Sequence, residues 1–96
     1  MEVFVFARLH ARTEKRDAVQ QAITAVQSPT REEPGCLNYG IYHSVRDADE
    51  FYIHSRWRDR EAFELHAQLP HTVHFLESVT PLLDHPFSPS LTERLT

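Results

Sequence analysis

The stretch Val3–Leu9, which reads VFVFARL, is the part of the sequence that decides the fold. It is rich in valine and phenylalanine, and both of its faces are apolar up to Arg8, which is typical of a strand buried on two sides. Such a strand needs helices over one face of its sheet and further apolar cover over the other. Because side chains alternate along a strand, one face carries Val3, Val5, Ala7 and Leu9, and the opposite face carries Phe4 and Phe6.

A helix follows this strand, predicted over Glu14–Ser28 with a ragged end near Glu33. Thr13 is a candidate N-cap, and Pro34–Gly35 is a firm stop. Pro29 falls in the last part of the helix, so we expect a break or a kink there. The inward stripe repeats at helical spacing and consists of Val19, Ala22, Ile23 and Val26.

Two strands come next, predicted over Cys36–Ser44 and Glu50–Trp57 and joined by a polar hairpin loop. The second strand alternates, with Tyr52, His54 and Arg56 on one face. The other face carries Phe51, Ile53, Ser55 and Trp57.

Asp59 can cap a helix that runs to about Gln68, and Pro70 suits the first turn of a further helical segment. Residues 84–96 contain two prolines, which favour a short last strand at a sheet edge. The element order is βαββαβ, so the sequence predicts one α+β domain over residues 1–96 with a ferredoxin-like, four-stranded antiparallel sheet. The last helical segment is expected to continue an inward stripe formed by Val73, Leu76, Val79 and Leu83.

Charge and composition disfavour several classes of protein. The net charge is -4, from 14 acidic and 10 basic residues that do not cluster, so nucleic acid is not an expected partner. The apolar start of the chain is too short to span a bilayer and lacks the features of a signal peptide, so no membrane association is expected. The single cysteine, Cys36, fits a reducing compartment, which predicts a cytoplasmic location.

Four short segments then occur in order along the chain: Glu33–Leu37, Phe51–Trp57, Arg60–Phe63, and His66 followed by Pro70 and His71. Together they resemble the antibiotic biosynthesis monooxygenase family, over nearly the whole chain from Val3 to about Phe87. The resemblance implies a homodimer in which two four-stranded sheets form a dimeric α+β barrel. It also implies a pocket in each subunit between the sheet and its helices.

The resemblance does not fix the chemistry, because the family includes cofactor-free oxygenases, haem-degrading enzymes and an isomerase of a phosphorylated sugar. The chain has only two glycines, so it contains no glycine fingerprint for a nucleotide cofactor. We therefore expect a cofactor-independent monooxygenase of a small aromatic or quinol-like substrate, with dioxygen as co-substrate. An isomerase of a small oxygenated or phosphorylated metabolite and a non-catalytic ligand-binding dimer remain alternatives.

His66 and His71 are the candidate catalytic residues. Cofactor-free oxygenation needs a base that takes a phenolic proton in a dry apolar pocket, and histidine is the natural base near neutral pH. His66 is three residues after Phe63 and so shares the inward face of its helix. His71 stands at a helix start, where the helix dipole favours the neutral ring. Either residue could instead have a packing or capping role.

The candidate substrate-binding residues come from the strands and the helix that would form the pocket. They are Trp57, Phe63, Ser55, Ile53 and Ala7. Two of them depart from the family pattern. Ile53 stands where the family's quinol-type oxygenases have an asparagine, and Ser55 stands where many relatives have a glutamate, so no charge is available there.

Haem and metal are not expected. The haem-degrading relatives use an asparagine, a tryptophan and a histidine where this chain has Ala7, His66 and Phe75. His71 and His74 are one helical turn apart, a workable spacing for two metal ligands. However, Pro70 separates them from His66, and no carboxylate completes a motif of known spacing.

Overall fold

The computed structural model describes the whole chain, residues 1–96. The strands are β1 (Val3–His10), β2 (Cys36–His43), β3 (Glu50–Trp57) and β4 (Ser90–Thr92). The helices are α1 (Arg16–Arg31), α2 (Arg60–His66) and α3 (Pro70–Val79), and a short 3₁₀ turn follows over Thr80–Leu82. None of the helices is long and apolar enough to cross a membrane.

The four strands form one antiparallel sheet in the order β2-β3-β1-β4. The two long central strands are β1 and β3, and β4 is a short edge strand beside β1, as the two prolines that precede it predicted. In this register Val5 and Tyr39 both pair with Ser55. The prediction of a ferredoxin-like α+β fold is confirmed.

The core lies between one face of this sheet and the helices. The inward residues of β1 are buried, and so is the face of β3 that carries Phe51 and Trp57. The opposite face of the sheet is open in the single chain: it carries Phe6, Tyr42 and Tyr52, which are 52%, 54% and 40% exposed. The two faces of β1 therefore differ as the sequence predicted.

The first helix begins and ends later than the sequence indicated. Thr13 is not its N-cap: the chain turns at Glu14, whose φ is 69°, and α1 starts after Lys15, whose N–H donates to the Arg12 carbonyl. Pro29 does not end the helix, which continues to Arg31. A proline in the last turn removes one backbone hydrogen bond, and the remaining turn is retained because its neighbouring groups are still paired.

The start signals of the later helices are confirmed, and so are Leu76, Val79 and Leu83 of the predicted inward stripe, but Val73 is not part of it. Asp59 Oδ1 accepts from the Ala62 N–H at 2.8 Å, and Pro70 occupies the first turn of α3. Val73 is 41% exposed, whereas the neighbouring stripe of Thr72, Phe75 and Val79 is buried. The reason is that α3 packs against α1 with the face that carries Thr72. Val73 is one residue further along, so its side chain points about 100° away from that face.

Candidate active site

A cavity of about 250 Å³ lies between the sheet and the helices, and 10 of its 14 lining residues are hydrophobic. Five predicted site residues form part of its wall: Ala7, Ile53, Ser55, Phe63 and His66. No arginine or lysine is among the lining residues. The cavity therefore suits an apolar molecule, and a space of ~150 Å³ already accepts benzene in other proteins.

Behind the wall, one carboxylate oxygen joins the two predicted catalytic histidines. Glu33 Oε2 lies 2.7 Å from His66 Nδ1 and 2.7 Å from His71 Nε2. The side chains of Glu33 and His66 are each 8% exposed, and that of His71 is 25% exposed. We call Glu33, His66 and His71 the buried cluster. His71 itself does not line the cavity.

The hydrogen bonds of this cluster define the state of His66. A carboxylate oxygen only accepts, so the ring nitrogens that face Glu33 donate to it. His66 therefore carries its hydrogen on Nδ1, which also lies 3.2 Å from Thr72 Oγ1. Its Nε2 makes no hydrogen bond within the chain and keeps a free lone pair. This nitrogen is the one left to receive a proton from a bound ligand.

Burial lowers the pKa of His66 below its ordinary value of 6.5, although the Glu33 carboxylate acts in the opposite direction. Loss of hydration disfavours the charged imidazolium, and here it outweighs the attraction of the carboxylate. His66 is therefore kept neutral near pH 7, the form that can act as a base.

The turn after α1 brings Glu33 to this position. Gly35 accepts from the Arg58 N–H at 2.9 Å, and a Cβ on Gly35 would lie 2.4 Å from the Cβ of Ala62. Only glycine lets this turn lie so close to α2. Glu33 was not predicted as a site residue, because the sequence pattern placed it only at the ragged end of the first helix. Its place at the head of the segment Glu33–Leu37 was the signal that could have identified it.

Trp57 was expected to touch a ligand, but it lies behind the wall. Its ring is fully buried, with its centre 4.6 Å from that of His66, and it is not among the lining residues. Its indole N–H donates to Ser55 Oγ at 2.9 Å. Trp57 thus supports two residues that do face the cavity, because its large ring fills the space beneath them.

Tyr39 and Thr72 also line the cavity, and neither was predicted from the sequence. Tyr39 is 4% exposed and pairs across the sheet with Ser55. Burial, the largest effect, raises the pKa of its phenol, so the hydroxyl stays protonated at all physiological pH values. The alternation along β2, once the register with β3 is known, places Tyr39 on the cavity side.

The buried cluster is also the set of residues that could hold a metal ion, with ligand atoms within 4.8 Å of one another. Two imidazoles and a carboxylate suit several divalent transition metals. However, both contacts of 2.7 Å are hydrogen-bond lengths made through a single oxygen, so protons already satisfy these groups. His74 is not part of the cluster. The absence of a resident metal stays a prediction.

The chain is a ferredoxin-like α+β domain with an apolar cavity between sheet and helices and a carboxylate-bound histidine in the cavity wall. The family model for antibiotic biosynthesis monooxygenase matches residues 2–78. The chain belongs to this family.

Individual relatives agree with this assignment. "Putative monooxygenase Rv0793" of Mycobacterium tuberculosis is 36% identical over 84 residues, which cover 88% of this chain and 82% of that protein. "Uncharacterized protein sll1783" of Synechocystis is 33% identical over 75 residues, or 75% of this chain and 51% of that protein.

Solved structures show the same fold. The structure of Rv0793 superposes with a TM-score of 0.94 at 31% identity, covering 100% of this chain and 97% of that one. The crystal structure of PA3566 from Pseudomonas aeruginosa superposes with a TM-score of 0.91 at 27% identity, covering 99% of this chain and 95% of that one. These likenesses support a monooxygenase-like function at the level of the family.

Proposed function

We propose that the chain is a cofactor-independent monooxygenase that converts a small phenolic or quinol-like aromatic with dioxygen, and that His66 is its base. The observation that carries this proposal is the 2.7 Å contact between His66 Nδ1 and Glu33 Oε2 at the wall of an apolar cavity. Glu33 acts as a positioning residue: it fixes the ring tautomer and orientation, while Nε2 of His66 stays free to take the proton. His71 holds Glu33 from the solvent side.

The reaction needs only the substrate, dioxygen and a base. The phenolic hydroxyl transfers its proton to His66, and the phenolate supplies electrons as dioxygen bonds to a ring carbon that is ortho or para to the oxygen and carries a hydrogen. His66 returns the proton to the peroxide. Loss of the hydrogen on that carbon breaks the O–O bond, so one oxygen atom stays as a carbonyl and the other leaves as water. A dry cavity favours these steps because it protects the peroxide and strengthens local electrostatic effects.

Two alternative functions have less support. A phosphorylated substrate needs cationic partners, and no arginine or lysine lines the cavity. A non-catalytic binding module needs no ionisable pair at hydrogen-bond distance, yet Glu33 and His66 form one. These two observations favour an acid–base enzyme of an uncharged aromatic over both alternatives.

The test is oxygen-electrode turnover against a panel of hydroquinones, anthrones and flavonols, each with and without a chelator. We expect uptake with at least one phenolic compound and no effect of the chelator. His66→Ala should lower that turnover by about 10²-fold or more, the usual contribution of a general base. His74→Ala is the matched control, because His74 is exposed and outside the cluster. Absence of uptake across the panel, or its loss on chelation, contradicts the proposal.

We also propose that the protein works as a homodimer in the cytoplasm, with the open sheet faces joined in a dimeric barrel. The support is the apolar character of that face, where Phe6 and Tyr52 are 52% and 40% exposed. Replacement of both Phe4 and Phe6 by aspartate should give a monomer in equilibrium sedimentation, because two buried carboxylates oppose association. Unchanged dimer mass contradicts this interface.

A further inference from the structure

The polar side chains of the cavity all lie at one end of it. Thr72 Oγ1 is 3.2 Å from His66 Nδ1, and the ring centres of Tyr39 and His66 are 6.3 Å apart. Ser55 is the cross-strand partner of Tyr39 and accepts from Trp57, whose ring lies against His66. We call the three groups that can meet a ligand, Tyr39, Ser55 and His66, the polar end.

At the polar end, two hydroxyl groups have a hydrogen that is not donated to any protein group. The Tyr39 hydroxyl forms no hydrogen bond within the chain, although the residue is only 4% exposed. Ser55 is 2% exposed, and its Oγ accepts from the Trp57 indole, so its own hydrogen remains free. No fully buried side-chain polar atom of the chain lacks a partner, so the Tyr39 hydroxyl keeps some accessible surface; an unused donor in a cavity wall is a place where a ligand acceptor can bind.

The other end of the cavity is apolar. Ile53 and Ala7 are cross-strand partners. Ile53 lies two residues from Ser55 on the same strand, which is a distance of about 7 Å. Phe75 and Phe87, which also line the cavity, pack edge to face with ring centres 5.9 Å apart and add apolar surface to its wall. A polar substituent at this end would lose water without gaining a partner, which is unfavourable.

From this asymmetry we infer that the ligand is an aromatic of one or two rings with two neighbouring oxygen substituents at one end and none at the other. One hydroxyl meets His66, an assignment that rests on the proposed function, and the second oxygen accepts from Tyr39 and Ser55. Tyr39 and Ser55 thereby determine specificity. Donors placed here also stabilise negative charge as it develops on the substrate oxygen.

Two isomers test this inference directly. 2,3-Dihydroxynaphthalene carries neighbouring hydroxyls at one end, and 2,6-dihydroxynaphthalene has the same composition with hydroxyls at opposite ends. Calorimetric titration under nitrogen should give about tenfold tighter binding of the 2,3 isomer, the difference expected for one well-made hydrogen bond and one avoided burial. 2-Naphthol should bind between the two.

Variants assign the effect to the two hydroxyls. Tyr39→Phe should weaken binding of the 2,3 isomer severalfold, toward that of 2-naphthol, and leave binding of 2-naphthol unchanged. Ser55→Ala should also weaken binding of the 2,3 isomer, and because it leaves the Trp57 indole N–H without its acceptor, its fold is checked by circular dichroism. Tyr42→Phe is the matched control, because Tyr42 is 54% exposed on the opposite face of the sheet. Equal affinity for the two isomers, or unchanged binding of the 2,3 isomer by both variants, overturns the inference.

Because oxygen is absent, this result is independent of turnover. Isomer preference without oxygen uptake would retain the ligand class and reject the monooxygenase proposal. Oxygen uptake without isomer preference would retain the monooxygenase proposal and reject the ligand class.

Discussion

The molecule contains two histidine–carboxylate clusters that differ in burial and in the number of carboxylates that each histidine contacts. In the buried cluster, one carboxylate, Glu33, serves two imidazoles. At the other, more open cluster, one imidazole lies between two carboxylates: His10 Nδ1 is 2.6 Å from Asp84 and Nε2 is 2.8 Å from Asp47, and Asp84 also contacts His85 at 2.8 Å. We call His10, Asp47 and Asp84 the surface cluster.

The two arrangements move histidine in opposite directions. Both ring nitrogens of His10 donate to carboxylates, which requires the charged ring, and the hydrogen bonds that His10 donates to Asp47 and then to Asp84 raise its pKa above 6.5. Burial lowers the pKa of His66 despite its carboxylate. The difference teaches that a carboxylate neighbour alone does not make a histidine cationic; the number of partners and the access of water decide its charge.

The roles differ accordingly. The charged His10 ties the end of β1 to the β2–β3 loop and to the segment after the 3₁₀ turn, which is a structural function. The neutral His66 faces a cavity and can exchange a proton. The comparison therefore separates a histidine that stabilises the fold from one that can perform chemistry.

The largest expected effect separates the clusters by activity. Glu33→Gln should lower oxygen turnover about tenfold or more, because the neutral amide removes the negative charge that holds the two ring N–H groups, and its NH2 can face His66 and reverse the tautomer of that ring. Asp84→Asn, the matched change in the surface cluster, should leave turnover unchanged. The measurement is the oxygen-electrode rate with the best substrate of the panel. Equal losses in the two variants would mean that the clusters do not differ in function.

A second experiment tests the opposite charge states of the two rings. NMR titration of the histidine side chains should give a pKa below 6.5 for His66 and above 6.5 for His10. Glu33→Gln should lower the pKa of His66 further, since the carboxylate favours the charged form. Asp84→Asn should bring that of His10 back toward its ordinary value. The same direction of shift for both histidines would refute the comparison.

The smallest expected effect is on stability, because the surface cluster is screened by water. His10 has a raised pKa, so its contribution is fully present below 6.5 and is lost as the pH rises through the folded-state value. Asp47 has a lowered pKa, mainly from the Asp49 N–H and then from His10. The pKa of Asp84 is lowered as well, mainly by its hydrogen bond with His85. The stabilising contributions of both carboxylates are therefore lost as the pH falls below 3.8.

The difference in melting temperature between wild type and His10→Gln should therefore be largest between these limits and should shrink above neutral pH. Thermal unfolding followed by circular dichroism at several pH values measures it. His43→Gln is the control, because His43 is exposed and its ring contacts only the Ser44 carbonyl. A difference that grows with pH would contradict the assignment of charge to His10.

Local patterns in the sequence determined the elements of the fold. The two-faced run of β1, the bounds of β3, the Asp59 cap and the Pro70 start all agree with the structure. They could be predicted because alternation, capping and the missing N–H of proline act over a few residues. The sequence also placed five of the lining residues, since they lie on the inward faces of elements whose periodicity is clear.

The tertiary structure decided which side chains meet. Glu33 is 33 residues from His66 and 38 from His71, and no local pattern reports a contact over that distance. Packing likewise decided that Trp57 lies behind the cavity and Tyr39 faces it, because strand alternation gives the face but not the depth of a side chain. Whether a histidine beside a carboxylate is neutral, as His66, or charged, as His10, depends on burial, which only the folded chain creates.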